Sequence, residues 1–123
     1  MKIRILVVDD EQKVRDKIIR LIKKSHLYEC DFKEAQDGHE ALMYLLEGSF
    51  HIVLTDLDMP KMGGGELIEE IRGRWLLKDI PVIVITAVDY SQKYLKKGFD
   101  SFVDKSDMER CLVREVRNFI WKQ

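Results

Sequence analysis

Four apolar runs along this chain each end on a polar side chain capable of chemistry. Ile5–Val8 runs into Asp9 and Asp10, His51–Thr55 into Asp56, Val82–Ile85 into Thr86, and Ser101–Asp104 into Lys105. Between these runs the apolar period changes. Val14, Ile18, Leu21 and Ile22 recur at helical spacing within 11–25, and Leu67, Ile68 and Ile71 do so after a loop rich in proline and glycine. Met108, Leu112, Val116, Phe119 and Ile120 draw an apolar stripe along the last segment. Tyr28, Cys30 and Phe32 alternate with polar residues, the pattern of an edge strand with one solvated face. Asp37 and Gly48 bracket another helix, Pro81 opens the fourth strand, and 89–97 reads as a short helix closed by Gly98. Ser106 and Glu109 have capping-box spacing ahead of the last helix, and Trp75, four residues after Ile71, extends the packing face of the third.

Five alternating strand and helix segments predict one α/β domain over 1–123. Right-handed crossovers with helices on both faces give a flavodoxin-like (βα)5 doubly wound parallel sheet in the order 2-1-3-4-5. Strands one and three are then neighbours. Asp9 and Asp10 meet Asp56 at the crevice where the strand order reverses, and Thr86 and Lys105 arrive from the two strands beyond.

Composition narrows the classes of partner. A chain of 123 residues with 46% hydrophobic and 35% charged residues fits one soluble globular core rather than a disordered tail. Lys and Arg number 21 against 22 Asp and Glu, so no basic field exists to attract nucleic acid or anionic lipid, and neither is an expected direct partner. No apolar run approaches the roughly 20 residues that span a bilayer, and the N-terminus lacks a signal-peptide layout, so a cytoplasmic location is expected. Cys30 and Cys111 read as buried free thiols, and His26, His39 and His51 show no ligand spacing.

The chemistry follows from crowded charge. Two like charges about 4 Å apart repel by about 4 kcal/mol at an effective dielectric of about 20, so three clustered carboxylates need compensation. Lys105 alone is too little. A hard dication with oxygen ligands completes neutrality, and the missing Cys and His cluster points to Mg²⁺ rather than zinc. Because Mg²⁺ commonly joins carboxylates to phosphate oxygens, the expected ligand is a phosphoryl group. Asp56 as nucleophile would become an acyl phosphate, with Lys105, the Thr86 hydroxyl and the metal stabilising charge on the transferred oxygens.

Over its whole length the chain resembles the receiver domains of two-component response regulators. The likeness rests on the acidic pair after the first strand, Asp56 followed by Met59, Pro60 and Gly64, Thr86 followed by Ala87, and Lys105 after the fifth strand. The resemblance implies that Asp56 accepts phosphate from a histidine kinase. It also implies that Asp10 and Asp56 hold Mg²⁺, that Asp9 acts mainly through water, and that the backbone carbonyl of Asp58 completes the ligands. Thr86 would move toward the phosphoryl group, whose oxygens the backbone at Ala87 contacts. Phe102 would turn inward and alter the face formed by the fourth helix, fifth strand and last helix, which a downstream effector or output domain reads. A homodimer formed on phosphorylation is compatible with the same scheme, and limited self-phosphorylation from small phosphodonors is expected of a switch that is not itself an enzyme.

Departures from that pattern bear on mechanism. Ser106 stands where receivers usually carry proline, which puts the rigidity of the Lys105 loop in question. Thr86 and Lys105 are 19 positions apart, about three fewer than the resemblance leads one to expect, or about one helical turn. Asp58 adds an acid beside the phosphoryl pocket, where it would repel an acyl phosphate or orient water for its hydrolysis.

Plainer readings stand beside these. Asp10 fits a helix N-cap, Asp56 a turn, Thr86 an ordinary strand residue, Lys105 a surface position and Phe102 the core. The string from Asp56 to Pro60 also resembles the nucleophile motif of haloacid-dehalogenase-type phosphohydrolases, with Asp58 as acid. Chain order opposes that, since the acidic pair comes first here. A third reading keeps the fold as a binding module that signals without phosphate, which the complete set of site residues opposes.

Overall fold

The computed structural model describes residues 2–26, 28–87 and 98–121. Its elements are β1 (Lys2–Val8), α1 (Gln12–Ser25), β2 (Glu29–Ala35), α2 (Gly38–Glu47), β3 (Ile52–Thr55), α3 (Gly64–Gly73), β4 (Val82–Thr86) and β5 (Ser101–Asp104). A 3₁₀ turn (Lys105–Asp107) then leads into the C-terminal helix (Met108–Trp121). The strands are parallel and lie in the order β2-β1-β3-β4-β5, as predicted.

Strand alternation sorts the core into two layers. Ile3, Ile5 and Val7 of β1 pack with Ile18 and Ile22 of α1 and with Leu112, Val116 and Ile120 of the C-terminal helix. Leu6 and Val8 point the other way, onto Ala41, Leu42 and Leu45 of α2 and Leu67, Ile68 and Ile71 of α3. β3 and β4 have every residue buried, as expected of parallel strands covered on both faces. β2 alternates between exposed and half-buried positions along Glu29–Glu34, which fits its place at the edge of the sheet.

Pairing register brings the strand ends level. Val8 faces Thr55, Thr55 faces Val84, and Thr86 faces Asp104. The residues that follow β1, β3 and β5 therefore emerge along one edge. At the opposite end, Arg72 donates from Nε to the Gly98 carbonyl (2.8 Å) and from Nη2 to Asp100 (2.8 Å). That pair ties α3 to the turn before β5, where Gly98 takes the positive φ of 86° that glycine tolerates.

Local expectations met mixed outcomes. Asp37 caps α2 by accepting from the Glu40 N–H (2.8 Å), and Gly48 ends it. Ser106 does not cap the last helix. Asp104 accepts from the Ser106 N–H and opens the 3₁₀ turn instead, so the helix begins later, at Met108. α1 starts after Glu11 with no side-chain cap, which removes the capping reading of Asp10. α3 ends at Gly73, and Trp75 is 80% exposed beneath the Lys78 ammonium rather than packed on the helix face. Both cysteines are half-buried free thiols, not fully buried ones. The helix expected over 89–97, and with it the shortening inferred there, lies outside the described residues.

Gly64 and Gly73 give a test of how tightly the Asp56 loop is packed. A Cβ on Gly64 would stand 2.1 Å from the Asp56 carbonyl oxygen, whereas one on Gly73 would meet nothing within 4 Å. Gly64→Ala should cost about 1–3 kcal/mol in urea denaturation, the usual range for overpacking. Gly73→Ala should gain about 0.4–1 kcal/mol by restricting the unfolded chain.

Candidate functional site

Backbone hydrogen bonds aim the acidic side chains. The Asp9 N–H donates to the Ala35 carbonyl (3.1 Å), and Asp9 Oδ1 accepts from the Glu11 N–H (2.9 Å). The Asp56 N–H donates to the Val8 carbonyl (2.9 Å), and its own carbonyl accepts from the Thr55 hydroxyl (2.8 Å). Asp56 Oδ1 accepts from the Leu57 N–H at 2.7 Å, which fixes the carboxylate plane. Asp56 is thus held at its backbone, at its carbonyl and at one carboxylate oxygen.

Lys105 closes the cluster from β5. Its Nζ donates to Asp56 Oδ2 at 2.9 Å and lies 2.9 Å from Asp9 Oδ2. One ammonium thus serves two buried carboxylates, Asp9 and Asp56. Burial pushes the Asp9 carboxyl above its ordinary value, and the Asp56 charge adds to that against the Glu11 N–H and Lys105. Burial pulls the Lys105 ammonium down, but the Asp9 and Asp56 carboxylates outweigh it and the net shift is upward.

The signs of these shifts describe a site short of positive charge. With its folded pKa above the unfolded one, Asp9 binds more protons when folded, so its contribution to stability falls as pH rises from about 3.8 through the raised value. For Lys105 the contribution is complete below its ordinary 10.5 and is lost as pH rises above that.

Asp9, Asp10 and Asp56 each offer a carboxylate oxygen, and these atoms lie within 4.8 Å of one another. Asp10 is exposed and makes no hydrogen bond or ion pair among the described residues, which leaves it open to a cation. All-oxygen donors from three clustered carboxylates, with a single ammonium to balance them, match a hard dication such as Mg²⁺. Asp58 is exposed and its carboxylate stands outside the trio.

The remaining predicted residues sit on the same edge. Thr86 is buried at the end of β4, and Ala87 follows it, exposed. Phe102, paired in register with Val84, is half-buried against the layer formed by α2 and α3. His51 has a packing role, its Nδ1 accepting from the Arg4 N–H (3.0 Å). Sequence reasoning missed Arg15, whose buried guanidinium donates to the Asp9 carbonyl and to Glu34. The signal was available, since position 15 shares a helix face with Ile18 and Ile22. It also missed Asp104, which accepts from both the N–H and the hydroxyl of Ser106.

The chain matches the family model of the response regulator receiver domain over residues 5–117. It is 34% identical over 113 residues to the transcriptional regulatory protein ResD of Bacillus subtilis, covering 92% of this chain and 44% of that protein. It therefore spans less than half the length of ResD. With the chemotaxis protein CheY of Pseudomonas aeruginosa it shares 33% identity over 122 residues, covering 90% of this chain and 97% of the other. A putative response regulator from Chloroflexus aurantiacus has the same fold, with a TM-score of 0.90 at 21% identity and coverage of 98% and 99%. Because the family match runs from within β1 to the C-terminal helix and includes the acidic cluster at the strand ends, the chain belongs to the receiver domains of two-component response regulators.

Proposed function

We propose that this receiver accepts a phosphoryl group from a histidine kinase on Asp56 and works in the cytoplasm as a switch for an effector protein or output domain. The observation that carries the reading is the Lys105 ammonium set 2.9 Å from both Asp9 and Asp56. Asp10 and Asp56 would hold Mg²⁺ directly, Asp9 through water, and the backbone carbonyl of Asp58 would add a ligand. Bound there, Mg²⁺ supplies the positive charge that three carboxylates and a phosphoryl group need.

In the transfer, a carboxylate oxygen of Asp56 forms the bond to phosphorus while the bond from phosphorus to the donor's histidine nitrogen breaks. That nitrogen keeps the electron pair. Lys105 and the Thr86 hydroxyl stabilise charge on the phosphoryl oxygens, and the backbone at Ala87 contacts them. Burial of Asp9 and Asp56 keeps the local dielectric low, so each of these contacts gains strength relative to water. Rearrangement of Thr86 and Phe102 would then carry the change to the face of β5 and the C-terminal helix that a partner reads, or that a second copy meets in a homodimer.

Incubated with Mg²⁺ and acetyl phosphate, the protein should gain the mass of one phosphoryl group, and Asp56→Ala none. Label on both proteins, or steady turnover of a generic phosphomonoester, would overturn the reading in favour of another acceptor or a phosphohydrolase. Asp58 bears on how long the label lasts. If its carboxylate orients water or repels the acyl phosphate, Asp58→Asn should lengthen the phosphorylated half-life several-fold. Equal decay rates would remove Asp58 from the hydrolysis step.

A further inference from the structure

Asp9, Asp56 and Thr86 sit at or just past the ends of strands paired on both sides, whereas Lys105 is carried on a turn that follows the edge strand β5. It is the first residue of the 3₁₀ turn Lys105–Asp107, and its ammonium must reach two separate carboxylates. A lysine stem has about 2 kcal/mol of rotamer entropy, so where its Cα sits decides how often Nζ occupies that position. The turn therefore needs its own constraint.

Asp104 supplies one. As the last residue of β5 it is fixed in register against Thr86, and its backbone is extended (φ −74°, ψ 133°). Its Oδ1 accepts from the Ser106 N–H at 2.9 Å and from the Ser106 Oγ–H at 2.8 Å. The two bonds bridge Lys105 from the residue before it to the residue after it, the Asx-turn geometry in which a side chain takes the part of a backbone carbonyl. Position 106 carries no ring to limit the backbone, and this bridge spans Lys105 at the point where it leaves the sheet.

We propose that Asp104 and Ser106 are positioning residues for Lys105, holding its ammonium over Asp9 and Asp56 through the acceptor geometry of Oδ1 and not through the charge of Asp104. The inference rests on the phosphoacceptor reading for its effect on rate, but not for its effect on Lys105 itself. Misplacing a reacting group by about 1 Å can cost about 10²-fold, and a partly released lysine should cost less, on the order of tenfold.

Two readouts on the full chain separate the possibilities. The first is the rate of phosphorylation by acetyl phosphate with Mg²⁺, read by intact mass. Asp104→Ala should be slowed by about tenfold, Asp104→Asn should stay within about twofold of the parent because it keeps the acceptor, and Ser106→Ala should fall between them. In a Lys105→Ala background, Asp104→Ala should change nothing further, as expected when one residue acts only through another. The second readout needs no phosphate: acetylation of Lys105 by a trace amine-reactive reagent, mapped by peptide mass, should rise several-fold in Asp104→Ala and not in Asp104→Asn. An unaltered rate and label in Asp104→Ala, slowing that persists without Lys105, or failure of Asp104→Asn to restore the parent behaviour would each overturn the proposal. If the parent takes up no phosphoryl group while the Lys105 label still follows Asp104, the phosphoacceptor reading falls and the positioning role stands.

Discussion

Everything at the carboxyl edge of this sheet depends on one ammonium held among buried acids. Lys105 reaches 2.9 Å from both Asp9 and Asp56, and without it two carboxylates would face each other across a low-dielectric crevice. Even with it, the balance is negative. Burial pushes Asp9 above its ordinary value, and it shares its cationic partner with Asp56. A site left in this state favours whatever brings positive charge to it, the part that the proposed Mg²⁺ would fill.

The fold sets this up by register. Because β1, β3 and β4 are buried on both faces, slipping any of them by one residue would move a whole set of apolar side chains from one layer to the other. The apolar pattern therefore fixes where each strand stops as well as how it packs. Val8, Thr55 and Val84 come level, and Asp9 and Asp56 follow two of them as the first residues outside. Arg72 and Asp100 hold the far end of β5, so that the strand leading into the Lys105 turn is tied where it begins.

Much of this could be read in the chain because strand ends are marked twice, by loss of apolar residues and by gain of charged ones. The order of the sheet and the meeting of Asp9, Asp10, Asp56 and Lys105 follow from that. The caps of α2 were equally legible, since Asp37 and Gly48 are competent for those positions on their own. Misreadings arose where one residue competed with another. Ser106 and Glu109 have the right spacing for a capping box, but Asp104 is nearer to the Ser106 donors and takes both. Trp75 keeps a helical interval from Ile71, but α3 has already ended at Gly73, and spacing has no meaning beyond the helix. Arg15 drew no reading from the sequence, although its position on the buried stripe of α1 directs it to the Asp9 carbonyl.

The exposed carboxylate of Asp10 makes the charge argument testable without phosphate. Calorimetric titration should find one Mg²⁺ bound per chain, with a gain in unfolding free energy of about 2.7 kcal/mol when Mg²⁺ is at about 100 times its Kd. Asp10→Asn should bind markedly more weakly and lose most of that gain. Absence of saturable Mg²⁺ binding, or equal binding by Asp10→Asn, would contradict the view that these acids converge to hold a cation.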